Sequence, residues 1–202
     1  MGALTLLCQH VICSHLEIGQ NVRVDGRVRL VQQPIAELQR LRTDLLYNAT
    51  TLSVPADVQS TEPLISKDGA LELEMQLKPG KARLAGVRLH SGVQGQRIDV
   101  GYDREQGVLY LDRSHAGDTT SLTGFSKRQI APLALRDGQL RLRILFDTAS
   151  VTVFAGEGEA VLTSQIFPDH AAPRLSLFSE GANAEVADLE VWSLSSIWTV
   201  PK

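Results

Sequence analysis

Four potential metal ligands lie close together near the N-terminus of the 202-residue chain: Cys8, His10, Cys13 and His15. Zinc accepts thiolate and imidazole ligands, but its structural sites usually pair ligands about two to four residues apart and separate the pairs by a long excursion. In an extended strand the first Cys–His pair would lie on one face and the second pair on the opposite face. The spacing therefore favours a chance cluster, and we predict neither a metal nor another cofactor.

The remaining histidines give no sign of nucleophilic catalysis. His90, His115 and His170 lie near predicted turns, as surface histidines do. The sequence contains neither the G-x-S-x-G motif of many serine hydrolases nor a glycine-rich phosphate-binding loop. We therefore predict no catalytic residues.

Charged residues alternate with apolar residues in two stretches. Glu72 and Glu74 would face outward from one strand, and Arg141 and Arg143 from another. The simplest interpretation is a solvated sheet face, since surface ion pairs usually contribute little to stability. Pairing of the two sets across strands and anion binding by the arginines are the alternatives.

Short runs of alternating apolar and polar residues dominate the chain from residue 70 onward, which is typical of half-buried antiparallel strands. In residues 71–77 the odd positions are Leu or Met and the even positions are Glu or Gln. Further runs are 97–102, 108–112, 139–146, 150–156, 160–167, 174–180 and 187–194. Because no connection is long enough in helix to cross over, a parallel sheet is excluded.

The N-terminal part combines a hairpin with a helical pattern. Residues 22–31, VRVDGRVRLV, predict a tight hairpin, because Asp-Gly suits the turns that match strand twist. Pro34 followed by apolar residues at helical spacing predicts a helix over 34–42. We predict an all-β fold, an antiparallel two-sheet β-sandwich with one short N-terminal linker helix, a barrel being the alternative. Residues 1–45 would form a lead-in and residues 46–202 the sandwich domain.

Composition narrows the possible partners. With 43% hydrophobic residues, 21% charged residues and a net charge of −3, the chain has the composition of a globular protein and no basic block for nucleic acid. No stretch approaches the roughly 18 apolar residues of a membrane span. We expect a cytoplasmic location because no signal peptide is recognisable, or a secreted one if the N-terminus is truncated.

Aromatic residues are few: five Phe, three Tyr and two Trp. This small number of aromatic residues argues against a sugar-binding protein with several exposed aromatic platforms. Trp192 and Trp198 either close a core or form an exposed pair that stacks on a sugar or a partner. The strand alternation places Leu189 and Val191 on one face and Trp192 on the other face. We therefore expect Trp192 to pack on a second surface.

Several long motifs resemble a known module. They are RLVQQPIAELQRLR, GYDREQGVLYLDRS, APLALRDGQLRLRILFD, SVTVFAGEGEAVLTSQIFPD, LSLFSEG and DLEVWSLSSIW. From about residue 26 to residue 198 the chain is similar to the C-terminal β-sandwich of glycoside hydrolase family 32. That family comprises β-fructosidases such as invertases, levanases, inulinases and sucrose-6-phosphate hydrolases. A five-bladed catalytic propeller precedes the sandwich in the family. The resemblance therefore implies that the lead-in consists of a remnant of the last propeller strand, the hairpin and the linker helix.

The chain also departs from the family pattern. The motifs that carry the family's nucleophile, transition-state stabiliser and acid/base, W-M-N-D-P-N-G, R-D-P and E-C, do not occur in it. Because retaining glycosidases need two carboxylates at the scissile bond, we expect no hydrolysis by this chain alone. Thr152 stands where family members usually carry Glu, and the Cys/His cluster lies in an atypical stretch, LLCQHVICSHLEIG.

Two functions follow from the resemblance. The first is a non-catalytic module that stabilises a β-fructosidase by docking on its propeller, contacts a second subunit, or binds fructan or a terminal fructose. The second is a fragment of a split hydrolase that acts on sucrose or fructan only with a propeller supplied in trans. The sugar-binding candidates in the matching motifs are Tyr102, Asp103, Asp112 and Arg113. Their structural alternative is a core tyrosine with turn aspartates.

Overall fold

A computed structural model describes most of the chain outside the N-terminus and several connections. The described residues are 16–24, 27–58, 70–90, 96–116, 128–147, 149–166 and 174–196, with side chains from residue 30 onward. Every strand pair among them is antiparallel, and the strands form two large sheets and one hairpin. The predicted all-β, two-sheet sandwich is confirmed.

The first large sheet has six strands in the order β11-β10-β9-β4-β13-β3. Its strands are β3 (Arg42–Val54), β4 (Leu71–Lys78), β9 (Leu140–Phe146), β10 (Ser150–Ala155), β11 (Ala160–Gln165) and β13 (Ala184–Leu194). The predicted domain boundary between residues 45 and 46 falls inside β3.

The second large sheet has five strands in the order β12-β5-β6-β7-β8. Its strands are β5 (Leu84–His90), β6 (Arg97–Asp103), β7 (Val108–His115), β8 (Arg128–Pro132) and β12 (Arg174–Glu180). The core lies between the two sheets, because the alternating apolar side chains of both point inward. Leu73, Ile98, Leu111 and Ile144 are each 0% exposed.

The lead-in forms a hairpin followed by a short helix of six residues. The strands β1 (Leu16–Val24) and β2 (Arg27–Pro34) pair with each other as predicted, and the Asp25-Gly26 turn between them lies outside the described residues. The predicted helix over 34–42 is a 3-10 helix spanning only Ala36–Leu41. It starts later because Pro34 ends β2 and Ile35 is extended, with φ −61° and ψ 147°.

Candidate functional site

A cluster of four charged side chains lies on the outer face of the six-stranded sheet, which is the face turned away from the core. Glu72 and Glu74 project from β4. The Glu72 side chain is 0% exposed; it accepts a hydrogen bond from Arg42 Nε at 2.6 Å and another from Arg143 Nε. Glu74 accepts from Arg42 Nη2 at 2.5 Å. The prediction of a solvated face is therefore wrong for Glu72, and the alternative of pairing across strands is confirmed.

Burial explains why this cluster contains two guanidinium groups. A carboxylate withdrawn from water is costly unless it is paired and hydrogen-bonded, and Glu72 has an arginine on each side. Burial alone lowers the pKa of Arg42, but the hydrogen bonds and charges of the two glutamates more than offset it, so that pKa is raised. The cluster is therefore a buried network of ion pairs that joins β3, β4 and β9.

Trp192 extends the same surface, as its strand phase predicts. It is half-buried, with the Arg42 guanidinium 5.4 Å from the centre of its ring. Its indole Nε1 donates to Glu190 at 3.1 Å. The packing interpretation holds for Trp192, whereas Trp198 lies outside the described residues.

Next to the ionic cluster the outer face carries a second, smaller apolar cluster. Its buried members are Ala70, Leu145, Phe154 and Leu194. Leu38 and Leu41 of the 3-10 helix pack on these residues, and the Leu41 carbonyl accepts from Ser195 N at 2.8 Å. This patch of the sheet face is therefore covered by the 3-10 helix rather than by water.

The end of the hairpin is fixed to the turn between β10 and β11. Gln32 N donates to the Gly158 carbonyl at 2.9 Å, and Gln33 Nε2 donates to the Glu157 carbonyl at 3.1 Å. Gly158 has φ +89°, and a Cβ there would collide with the Gln32 carbonyl, so both the dihedral angle and the close approach require glycine.

A cleft of about 70 Å³ opens beside this junction. It is lined by Gln33, Pro34, Arg141, Arg143, Phe154, Gly156, Glu157 and Gly158. Nη2 of Arg143 is buried and has no hydrogen-bond partner among the described residues. Arg141, 51% exposed, forms ion pairs of 3.9 Å with Glu74 and Glu157, the only ones it makes within the described ranges. This part of the face is therefore polar, and one of its guanidinium nitrogens is left without a partner among the described residues.

The family model described as "Glycosyl hydrolases family 32 C terminal" matches residues 37–193, which span both sheets of the sandwich. The chain belongs to glycoside hydrolase family 32. The matched part of the family is its C-terminal domain. The predicted resemblance is therefore confirmed over most of the described residues.

Similar proteins of the family are much longer than this chain. The levanase of Bacillus sp. (strain L7) is 37% identical over 172 residues, which are 85% of this chain and 19% of the levanase. The extracellular exo-inulinase inuE of Aspergillus niger is 37% identical over 87% of this chain and 33% of its own length. The crystal structure of the exo-inulinase from Aspergillus awamori superposes with a TM-score of 0.72 at 27% identity, over 87% of this chain and 34% of that one. The chain thus spans about a fifth to a third of these relatives.

Within the family 32 sandwich, two of the sugar-binding candidates lie at the same end of β6. Tyr102 is buried in the core, where its hydroxyl donates to the Leu133 carbonyl at 3.0 Å and burial raises its pKa. Asp103, 4% exposed, accepts from the Gln106 backbone N at 3.0 Å and from Arg128 at 3.3 Å. The Tyr102 hydroxyl thus ties β6 to the segment after β8, and Asp103 holds the turn that leads into β7.

The other two candidates lie at the opposite end of the β6–β7 pair. Asp112 accepts from Ser114 N at 2.8 Å, and Arg113 points inward and donates to the Gln165 carbonyl at 2.8 Å. Burial lowers the pKa of Arg113. Asp112 pairs with Asp99, which is four residues from Asp103 along β6. The backbone positions of Asp103 and Asp112 are therefore about 13 Å apart along the strands. The structure does not bring the four residues together, and their sugar-binding role stays a prediction.

Other predictions fall outside the described residues. The cluster Cys8, His10, Cys13 and His15 belongs to this undescribed part, as does His170. In the described ranges no helix is long and apolar enough to cross a membrane. Sequence reasoning missed Arg42, which was placed at the end of the predicted helix and carried no pattern linking it to Glu72.

Proposed function

We propose that this chain is the non-catalytic C-terminal module of a β-fructosidase and that it stabilises the enzyme by docking against its catalytic propeller. The observation that carries the proposal is the outer face of the six-stranded sheet. It buries the Glu72 carboxylate completely and is partly covered by the 3-10 helix, which the family resemblance assigns to the connection between the sandwich and the preceding domain.

The position of the hairpin identifies the docking surface. Because β2 lies against β10 and β11, a domain that precedes β1 would sit beside the cleft lined by Arg141 and Glu157. Leu30 of β2 is 55% exposed on the same hairpin that lines the cleft with Gln33 and Pro34. Leu45, 42% exposed, lies on β3 at the opposite edge of the sheet. An exposed apolar side chain on the hairpin and a partly exposed arginine in the cleft together give this end of the face the mixed character of an interdomain interface.

Binding of a separately produced propeller tests the proposal. The catalytic domain of a family 32 levanase is titrated with the full chain in a calorimeter, and saturable binding is expected. Leu30→Asp and Arg141→Glu should weaken the binding. Arg174→Glu, an exposed charge reversal on the five-stranded sheet, is the matched control and should leave it unchanged. No binding, or equal losses in all three variants, contradicts the proposal.

A further inference from the structure

A row of four basic residues crosses the outer face of the five-stranded sheet. Arg174 of β12 pairs in register with His90 of β5, which pairs with Arg97 of β6, which in turn pairs with His115 of β7. We call these four residues the basic row. Adjacent strands are about 4.8 Å apart, so the row is roughly 14 Å long. It lies on the opposite side of the sandwich from the proposed docking surface.

The carboxylate of Asp99, which lies next to the basic row, is shared between Arg88 and Arg97. Asp99, one outward position along β6, accepts from Arg88 Nε at 2.7 Å and from Arg88 Nη2 at 2.9 Å. Arg97 Nε is 3.6 Å from Asp99, and although this atom is buried it has no hydrogen-bond partner among the described residues. Arg174 is exposed and forms no ion pair with any residue that the structure describes. Among the described residues, Arg97 Nε and the Arg174 guanidinium group therefore have no hydrogen-bond acceptor.

His90 lies between Arg174 and Arg97 in the basic row, so its pKa depends on their charges. Its Nε2 lies 2.9 Å from Ser176 Oγ of β12. Burial lowers the pKa of His90, and the neighbouring charges of Arg88, Arg174 and Arg97 lower it further, against the opposing effect of Asp99. The histidine is therefore surrounded by more positive than negative charge.

We propose that the basic row binds a tetrahedral oxyanion, with a phosphate group as its ligand class. Guanidinium groups bind phosphate oxygens with paired N–H donors, and the imidazole ring between them supplies a further donor when it is protonated. A phosphate held over His90 would be within reach of Arg97 on one neighbouring strand and Arg174 on the other. The phosphate could be a free ion or the phosphoryl group of a sugar phosphate.

Titration of the full chain distinguishes these sources. Inorganic phosphate and fructose 6-phosphate are added separately at pH 7 and constant ionic strength, and backbone amide NMR shifts are followed. Saturable shifts centred on the basic row are expected. Equal affinities identify the free ion as sufficient, and tighter binding of the sugar phosphate identifies a phosphorylated sugar.

Matched variants decide whether the site is specific. Arg97→Ala and the exposed Arg174→Ala should each weaken binding by about tenfold, the loss of a charged hydrogen bond. Arg83→Ala removes the same charge at the far end of the sheet, where Arg83 pairs with Glu180, and should leave the affinity unchanged. Arg174→Ala keeps the test valid if the Arg97 variant is unstable. The absence of saturation, or equal weakening by Arg83→Ala, overturns the proposal.

Discussion

Replacement of Glu72 by Gln tests the ionic cluster on the outer face. Gln keeps the size of the side chain but removes the charge that Arg42 and Arg143 share. The Glu72 side chain is 0% exposed and each arginine is 15% exposed, so both guanidinium groups would remain buried with only Glu74 as a carboxylate partner. Removing one partner of a buried ion pair costs about 3 to 5 kcal/mol. Because Glu74 still neutralises part of the charge, we expect about 3 kcal/mol.

The matched control is Glu185→Gln, whose ion pair with Lys78 is exposed. The two side chains of that pair are 44% and 42% exposed, so the loss should be below about 1 kcal/mol. For a chain of this size, 1 kcal/mol corresponds to about 2 to 4 °C in Tm, which gives roughly 6 to 12 °C for Glu72→Gln. Thermal and urea unfolding followed by circular dichroism measure both variants. Equal shifts for the two substitutions would refute the assignment of a special role to the buried carboxylate.

Three further predictions concern other parts of the molecule. The pKa of His90 is lowered in the folded chain, so the unfolded chain takes up this proton at a higher pH. The free energy of unfolding should therefore fall as pH drops below about 6.5. His90→Asn should make this loss smaller, as measured by urea titrations from pH 7 to pH 5. Gly158→Ala should lower Tm and loosen the hairpin, because the methyl group meets the Gln32 carbonyl; a native Tm with unchanged amide protection of Gln32 would contradict that contact. If the sugar-binding prediction holds, Asp112→Ala should abolish calorimetric binding of levan or inulin without changing the fold, whereas binding equal to that of the unaltered chain would remove Asp112 from consideration.

The strands with clean alternation could be predicted, and the interrupted ones could not. In β4 every second residue is apolar, and the odd positions are buried as expected. In β5 the pattern is broken by Gly86, an outward position where the neighbouring strand leaves no room for a side chain. The edge strand β3 is long and mostly exposed, and β8 is a short edge strand ending at Pro132, so neither carries a strong periodic signal.

The candidate sites required the tertiary structure. Sequence alternation places Glu72 outward correctly, but it carries no information on whether a second layer covers that face. The segment that covers it is separated by about thirty residues, as the Arg42–Glu72 contact shows. The basic row likewise depends on strand register, because its four residues come from four separate strands and only pairing aligns them.

Fructose release is the most direct test of the proposed role. Levan is incubated with the chain alone, with a separately produced family 32 propeller, and with both, before and after mild heating. The account predicts no release above the buffer rate by the chain alone, and more activity surviving heat in the mixture than in the propeller alone. Turnover by the chain alone, or identical heat inactivation with and without it, would contradict a non-catalytic stabilising module.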